Sequence, residues 1–414
     1  MDKLELHIFI IGKVWPEPGS SAAGARMMQL ICALKENGWR VSFGSAADKS
    51  EYSFDLDSIG VEAVEVKLNN SSFDPVIRSL NPDAVMYDRF MTEEQYGWRV
   101  AEQCPDAVRI LDTEDLHSLR YTRQKAVNQQ LEFNTQILFN EEITKREIAA
   151  ILRSDMSLII SGYEENLLKE VFEIRPSLLF YMPYLLESLT SKTVESWPGF
   201  EERSHFFTIG NYLHKPNADS VVYLKEKIWP LIHKRLPRAR MFIYGAYADR
   251  QIFDLEDSHT GFYVRGRVEN AQQVMHQARV CLAPLRFGAG LKGKLVDAMM
   301  CGLPSVTTSI GAEGIAEHKD WCGFIEDHPE EYADAAVKLY TDQTVWEKAC
   351  RNGVRIINER FNKEHFTKRW VQRIHELKNN LEAHRMKNFT GRMLMHHTAA
   401  STRYMSKWIE AKNR

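Results

Sequence analysis

Cysteine is scarce and scattered in this chain. Cys32, Cys104, Cys281, Cys301, Cys322 and Cys350 form no C-x-x-C pair, which argues against a zinc ribbon or a disulfide framework and fits a reducing cytoplasm. Long apolar runs are missing as well. The run Leu6–Ile11 is short and follows acidic Asp2 and Glu5, and no stretch approaches the roughly 20 apolar residues of a membrane-spanning helix, so neither signal peptide nor membrane span is expected. There is no low-complexity tract and no solenoid repeat. Net charge is only −3, but it is segregated: residues 361–414 hold twelve Lys and Arg against four Asp and Glu, a balance of +8 that leaves −11 for the first 360 residues. Such a basic end is a solvated helical face or a contact for phosphate, acidic lipid or RNA.

What is present is ordinary globular composition, 44% hydrophobic and 26% charged, over 414 residues. At about 150 residues per domain this length calls for two or three units, and hence for a cleft between them. Short apolar segments alternate with helical stretches. Glu5–Ile11 reads as a buried strand, followed by a Pro/Gly/Ser-rich loop and a helix carrying Met27, Leu30, Ile31 and Leu34 that Gly38 closes. Further strands are expected at Trp39–Ser42, Val61–Val66, Ala84–Tyr87, Val108–Leu111, Leu158–Ile160 and Leu178–Met182. Residues 187–205, polar and broken by Pro198 and Gly199, read as a linker. A second series follows at Phe206–Ile209, Ala239–Tyr244, Gly261–Val264, Val280–Ala283, Ser305–Thr307 and Gly323–Ile325. The expected architecture is α/β: two doubly wound Rossmann-like domains, residues 1–186 and 206–360, then a basic helical segment 361–414. In that segment Phe366, Trp370, Ile374, Leu377 and Leu381 form a stripe that should pack on the body, and Met393, Leu394, Tyr404, Met405 and Trp408 read as a further packed helix.

The stretch Pro284–Ile315 joins a strand end, a glycine-rich loop, a helix start, a second strand and another glycine-rich loop. In open α/β sheets such loops line the ligand-binding edge. Gly288, Gly290 and Gly293 permit close backbone approach, and a helix starting near Lys292 would turn free N–H groups toward a ligand beside the ammonium groups of Lys292 and Lys294. Together these features suit a diphosphate; read separately they are a tight turn and two solvated lysines.

This stretch resembles the donor-site signature of glycosyltransferase family 4, the group 1 glycosyltransferases. The likeness is strongest over residues 206–326 and weaker over 4–125. The resemblance implies a GT-B fold with domains facing a central cleft, a nucleotide-sugar donor, retention of configuration, and no metal or other cofactor. It places Asp297 at the second acidic position of the family's E-x7-E signature, suited to the donor ribose, whereas the first falls on Ala289. Glu313, between Gly311 and Gly314, is a candidate to replace part of that missing contact or is a surface turn residue. Gly210 and Lys215 resemble the first donor loop; Asn217 reads as an N-cap or a ligand contact, and His214 as structural or exposed. Gly19, Ser20, Ser21 and Gly24 resemble the first-domain loop that faces phosphates and acceptor. Asp112, Asp115 and His117, crowded with Glu114 past a strand end, are candidates for acceptor orientation or proton handling; the bland alternative is a helix start capped by Asp or Thr.

The expected partners are a nucleotide-sugar donor and an acceptor that the sequence leaves open: a cell-surface glycan, a glycolipid, or a nucleic acid such as tRNA. Expected location is cytoplasmic, with peripheral contact at the inner membrane face through the basic end as an option. A GT-B nucleotide-sugar epimerase and a non-catalytic binding protein are the readings from other classes.

Overall fold

A computed structural model describes residues 6–316 and 320–412. Two wholly parallel sheets organise it. The first holds β1 (His7–Gly12), β2 (Arg40–Ser45), β3 (Glu62–Glu65), β4 (Ala84–Asp88), β5 (Val108–Asp112), β6 (Met156–Ile159) and β7 (Leu179–Tyr181), in spatial order β3-β2-β1-β4-β5-β6-β7. The second holds β8 (Phe206–Ile209), β9 (Met241–Tyr244), β10 (Phe262–Gly266), β11 (Val280–Ala283), β12 (Ser305–Thr307) and β13 (Gly323–Ile325), in order β10-β9-β8-β11-β12-β13. Both orders reverse direction at their first strand, the doubly wound pattern that opens a crevice at the carboxyl ends of the strands.

The sequence forms these sheets because its central strands are apolar on both faces. Every residue of β1 and β4 is buried, and successive residues feed opposite layers. Ile8 and Ile10 join the cluster containing Leu30 and Leu34 of helix Ala22–Glu36, whereas Phe9 and Ile11 join the cluster on the other face with Phe73 and Phe90. Several strands are shorter than the apolar runs foretell. Ala239 closes a turn through its N–H to the Leu236 carbonyl (3.0 Å), and Gly261 has φ +68°, so β9 and β10 begin after them. Val61 likewise donates back to Leu56 (3.1 Å) before β3 starts. Glu5, expected to open β1, lies outside the described residues.

The chain crosses to the second domain after β7 and returns at Phe361, where Leu186 N–H donates to the Phe361 carbonyl (2.9 Å) and Lys363 N–H to the Leu186 carbonyl (3.0 Å). The stretch expected as a linker is ordered. Leu189 is buried and clamped by Asn358 (2.7 and 3.0 Å), while buried Arg203 donates to the carbonyls of Pro198, Met275 and Cys301. Helix Lys363–Asn379 then lays Phe366, Trp370, Ile374 and Leu377 against Leu30, Leu34 and Trp39, so the C-terminal segment completes the first domain's core. Helices Leu381–Lys387 and Phe389–Lys412 continue over the same domain. Here one expectation is corrected: Met393, Tyr404, Met405 and Trp408 do share a helix, but they are exposed.

Candidate active site at the domain cleft

The loops after β1, β4 and β5 form one wall of the cleft. Asp112 is wholly buried at the end of β5, with Oδ1 3.0 Å from Arg26 Nη2. Arg26 is fixed in turn by the carbonyls of Met182 and Pro183 (2.8 and 3.2 Å). Asp112 Oδ2, Glu114 Oε1 and Asp88 Oδ1 are buried without hydrogen-bond partners among the described residues. Burial and the neighbouring Asp112 push the Glu114 carboxyl well above its ordinary range. Glu114 and Arg89 have positive φ, +62° and +73°, a strained backbone for residues with side chains, and both lie at this wall. Arg89 Nη1 is 3.6 Å from Asp88 Oδ2, which also accepts from Lys13 N–H (3.0 Å).

Asp115 pairs with Arg120, and its Oδ1 lies 3.4 Å from His117 Nε2. Burial works to raise the Asp115 carboxyl, but Arg120, His117 and His214 outweigh it and hold it down to about 2. Burial lowers His117 to about 3, so its ring is neutral at physiological pH. The helix that begins at His117 is not capped by Asp112 or Thr113. Its free amides are met by two buried glutamates from elsewhere: Glu147 accepts from His117 and Ser118 N–H (2.9 and 3.0 Å), and Glu164 from Leu116 N–H (3.0 Å). Burial raises Glu147 to about 7 and, with Asp115, Glu164 to about 8.

The glycine-rich loop after β11 reaches across and locks onto this wall. Gly290 N–H donates to the same Glu164 Oε1 (2.8 Å), the Gly288 carbonyl accepts from Arg123 Nη1 (2.9 Å), and Tyr184 OH donates to the Leu291 carbonyl (3.4 Å). Arg123 also forms a two-pronged pair with Glu313 of the next loop (2.8 and 2.7 Å). Gly290 has φ +63°, and a Cβ there would stand 2.9 Å from that of Asp115, so only glycine permits this approach. Ala289, where the family signature has its first acid, is buried in the first domain's apolar cluster with Leu116 and Leu119. Lys292 is buried too, its Nζ donating to the Gly290 carbonyl (2.9 Å), and burial lowers its affinity for a proton.

The opposite wall is less committed. Helix Gly293–Met300 begins at Lys292 and carries half-buried Lys294 and, one turn on, Asp297. Neither side chain has a hydrogen-bond or ion-pair partner among the described residues. Burial pulls Lys294 down to about 8; Asp297 keeps an open face, yet the protein crowded round its carboxyl raises it to about 6. Lys215 is exposed at the start of helix Lys215–Tyr223, after β8. His214, half-buried beside it, senses Arg120, Asp115, Lys294 and Arg89, and burial lowers it to about 4. It therefore faces the cleft, which sequence reasoning missed. Asn217 is no N-cap: its Nδ2 donates to the Asn211 carbonyl (2.9 Å) and packs over Gly210. Gly311 lies in the short helix Ser309–Ala312, where its N–H donates to Thr308 Oγ1 (3.1 Å) and Ser309 N–H donates to Asp327 Oδ1 (2.8 Å).

In the first loop Ser21 caps helix Ala22–Glu36 by accepting from Gly24 N–H (3.0 Å), and Gly24 presses on the Glu17 backbone. The Ser20 carbonyl accepts from Asn211 Nδ2 (3.3 Å), and Gly19 approaches Arg267, so this loop touches both walls. Among the described residues no group of three His, Cys, Asp or Glu is placed to hold a metal. The triplet Asp55-Leu56-Asp57 has metal-chelating spacing but forms the turn into β3, where Ser58 Oγ donates to the Asp55 carbonyl (2.6 Å).

Residues 203–342, the second domain, match the family model of glycosyl transferases group 1. Solved structures share the whole architecture. A sucrose-phosphate synthase from Thermosynechococcus elongatus superposes with TM-score 0.66 at 15% identity, over 90% of this chain and 99% of that one. A glycosyltransferase from Rickettsia africae gives 0.66 at 10% identity, over 91% and 100%. The Anabaena protein Alr3699/HepE in complex with UDP gives 0.65 at 13%, over 90% and 100%. No curated protein matches the sequence. The fold is that of the GT-B class, and residues 203–342 match the group 1 glycosyl transferases.

Proposed function

We propose that the chain moves a sugar from a nucleotide-sugar donor to a hydroxyl of a glycan or glycolipid, with retention of configuration and without a metal. One observation carries this reading: Lys294 and Asp297 stand unpaired on one face of a helix at the cleft, while neighbouring Lys292 is tied to the Gly290 carbonyl and Glu313 to Arg123. Lys294, with Lys215, neutralises the donor diphosphate, and Asp297 receives the ribose hydroxyls. Positive charge there is worth most as the sugar–phosphate bond breaks and the nucleotide departs. The ionised Asp115 and the unpaired oxygen of Asp112 accept from the incoming hydroxyl, and neutral His117 orients it. Structures of the Anabaena protein in complex with UDP and with UDP-glucose support a nucleotide-sugar donor for this architecture.

Thermal-shift and calorimetric titration with UDP, GDP, ADP and TDP sugars tests the donor half, since tight binding raises Tm by mass action. One donor is expected to stand out and to be consumed only with an acceptor. Isomerisation of the donor with no acceptor present would replace this reading by an epimerase, and no binding by any nucleotide would overturn it. Turnover is expected to survive EDTA in full; loss restored by Mg²⁺ or Mn²⁺ would refute the metal-free assignment.

A further inference from the structure

Of the fourteen large apolar side chains exposed among the described residues, eight are scattered over the fold and six lie in or just before one helix. Phe389, Met393, Tyr404, Met405 and Trp408 all lie on helix Phe389–Lys412, with Met386 just before it; Phe389 and Tyr404 are 72% exposed and Trp408 60%. At 100° per residue, Phe389, Met393, Tyr404 and Trp408 fall within about 100° of one another, a stripe running most of a helix about 36 Å long. The other face is fastened to the first domain. Asn388 Nδ2 donates to the Leu152 carbonyl (2.7 Å), Arg99 to buried Ser406 (3.3 Å), and Ser71 Oγ to Glu410 (2.6 Å), while Arg403 pairs with Glu102 (3.3 Å). The stripe therefore faces away from the protein.

Its charge is one-sided. From Met386 to Lys412 the exposed charged residues are Lys387, Arg392, Lys407 and Lys412, and none is acidic; the sole acid of this stretch, Glu410, is turned to Ser71. Aromatic and methionine side chains framed by Lys and Arg, on a helix too polar to cross a bilayer, are the chemistry of an interfacial helix. A nucleic-acid surface would leave the methionines without purpose, and a second copy would bring four like charges together. We infer that the outward face of helix Phe389–Lys412 docks on an anionic lipid surface, with its aromatic rings in the headgroup layer. This goes beyond the sugar-transfer reading and does not depend on it.

The experiment is sedimentation of the full chain with phosphatidylcholine vesicles, with and without phosphatidylglycerol. The protein is expected to sediment with the anionic vesicles alone. The triple variant Phe389→Ser, Tyr404→Ser, Trp408→Ser should partition at least about tenfold less, with unchanged Tm, because these side chains contact little of the fold. Vesicles of brominated phosphatidylglycerol should quench the protein's fluorescence, and Trp408→Phe should remove part of that quenching. Absence of wild-type binding, or equal binding by the triple variant, overturns the inference. So does a dimer, seen by light scattering, that the triple variant abolishes while neither protein binds vesicles. RNA binding that survives in the triple variant, without vesicle binding, would assign the basic residues to nucleic acid instead.

Discussion

Lys292 and Lys294 are two positions apart and read alike in the sequence, yet the fold gives them different work. Lys294 lies in the first turn of helix Gly293–Met300, whereas Lys292 is its N-cap with extended backbone (φ −86°, ψ 91°). Lys292 turns inward to the Gly290 carbonyl, within the field of Glu313, Glu164 and Arg123, while Lys294 stays unpaired beside the cleft. Lys294→Ala should therefore lower donor affinity and kcat together, by about one to two orders of magnitude in kcat/KM, with Tm nearly unchanged. Lys292→Ala should instead lower Tm, because it removes the cation from a buried charged group and leaves the Gly290 carbonyl without its donor. Calorimetric donor binding and thermal melts on both variants separate the roles; equal loss of affinity with equal Tm would refute the division. The pairing of Arg123 with Glu313 was not legible in sequence, since 190 residues separate them and an arginine on an amphipathic helix reads as solvated. Nor was the fate of Ala289, whose methyl fills an apolar niche of the other domain.

Strands and helices were legible where local pattern decides them. Apolar runs on both faces mark β1, β4 and β11, and Gly38, with φ +77°, ends its helix as foretold. Less legible were features settled by distant groups: the amides of helix His117–Asn128 are served by Glu147 and Glu164, not by the nearby Asp and Thr. The terminal helix shows the same limit, because its apolar residues signalled a packed face and the packed face is another one. Gly391 sets that docking. A Cβ there would lie 2.0 Å from the Leu152 carbonyl oxygen, in the backbone of helix Glu142–Arg153. Gly391→Ala should force the two helices apart at a cost of about 1–3 kcal/mol, despite alanine's better helix propensity. The expected outcome is a lower Tm and faster proteolysis within residues 389–412; an unchanged or higher Tm would show that the helix contributes nothing by this contact.

Two domains and a cleft follow from length and alternation of elements, but what holds the cleft shut does not, because it is made by single buried groups far apart in the chain. Glu164 is the clearest of them: one oxygen accepts from Leu116 N–H of its own domain and from Gly290 N–H of the other. Burial and the charge of Asp115 raise its carboxyl from an ordinary 4.5 to about 8, against the pull of those two amides and Lys292. Between these values the folded chain keeps a proton that the unfolded chain releases. The contribution of this group is then fully present below about pH 4.5 and is lost as pH rises through about 8, by at most about 1.4 kcal/mol per pH unit. Glu147, raised to about 7, adds a slope of the same sign, so the wild-type profile alone cannot assign the effect. Glu164→Gln can, since the amide oxygen still accepts both N–H groups while the titration is gone. Relative to this variant the wild type should lose Tm steadily from pH 5 to pH 8.5, and its radius of gyration in solution scattering should grow at the upper end as the Gly290 loop leaves the first domain. Parallel Tm profiles for the two proteins would mean that Glu164 is ionised throughout and that Lys292 alone balances its charge in the closed cleft.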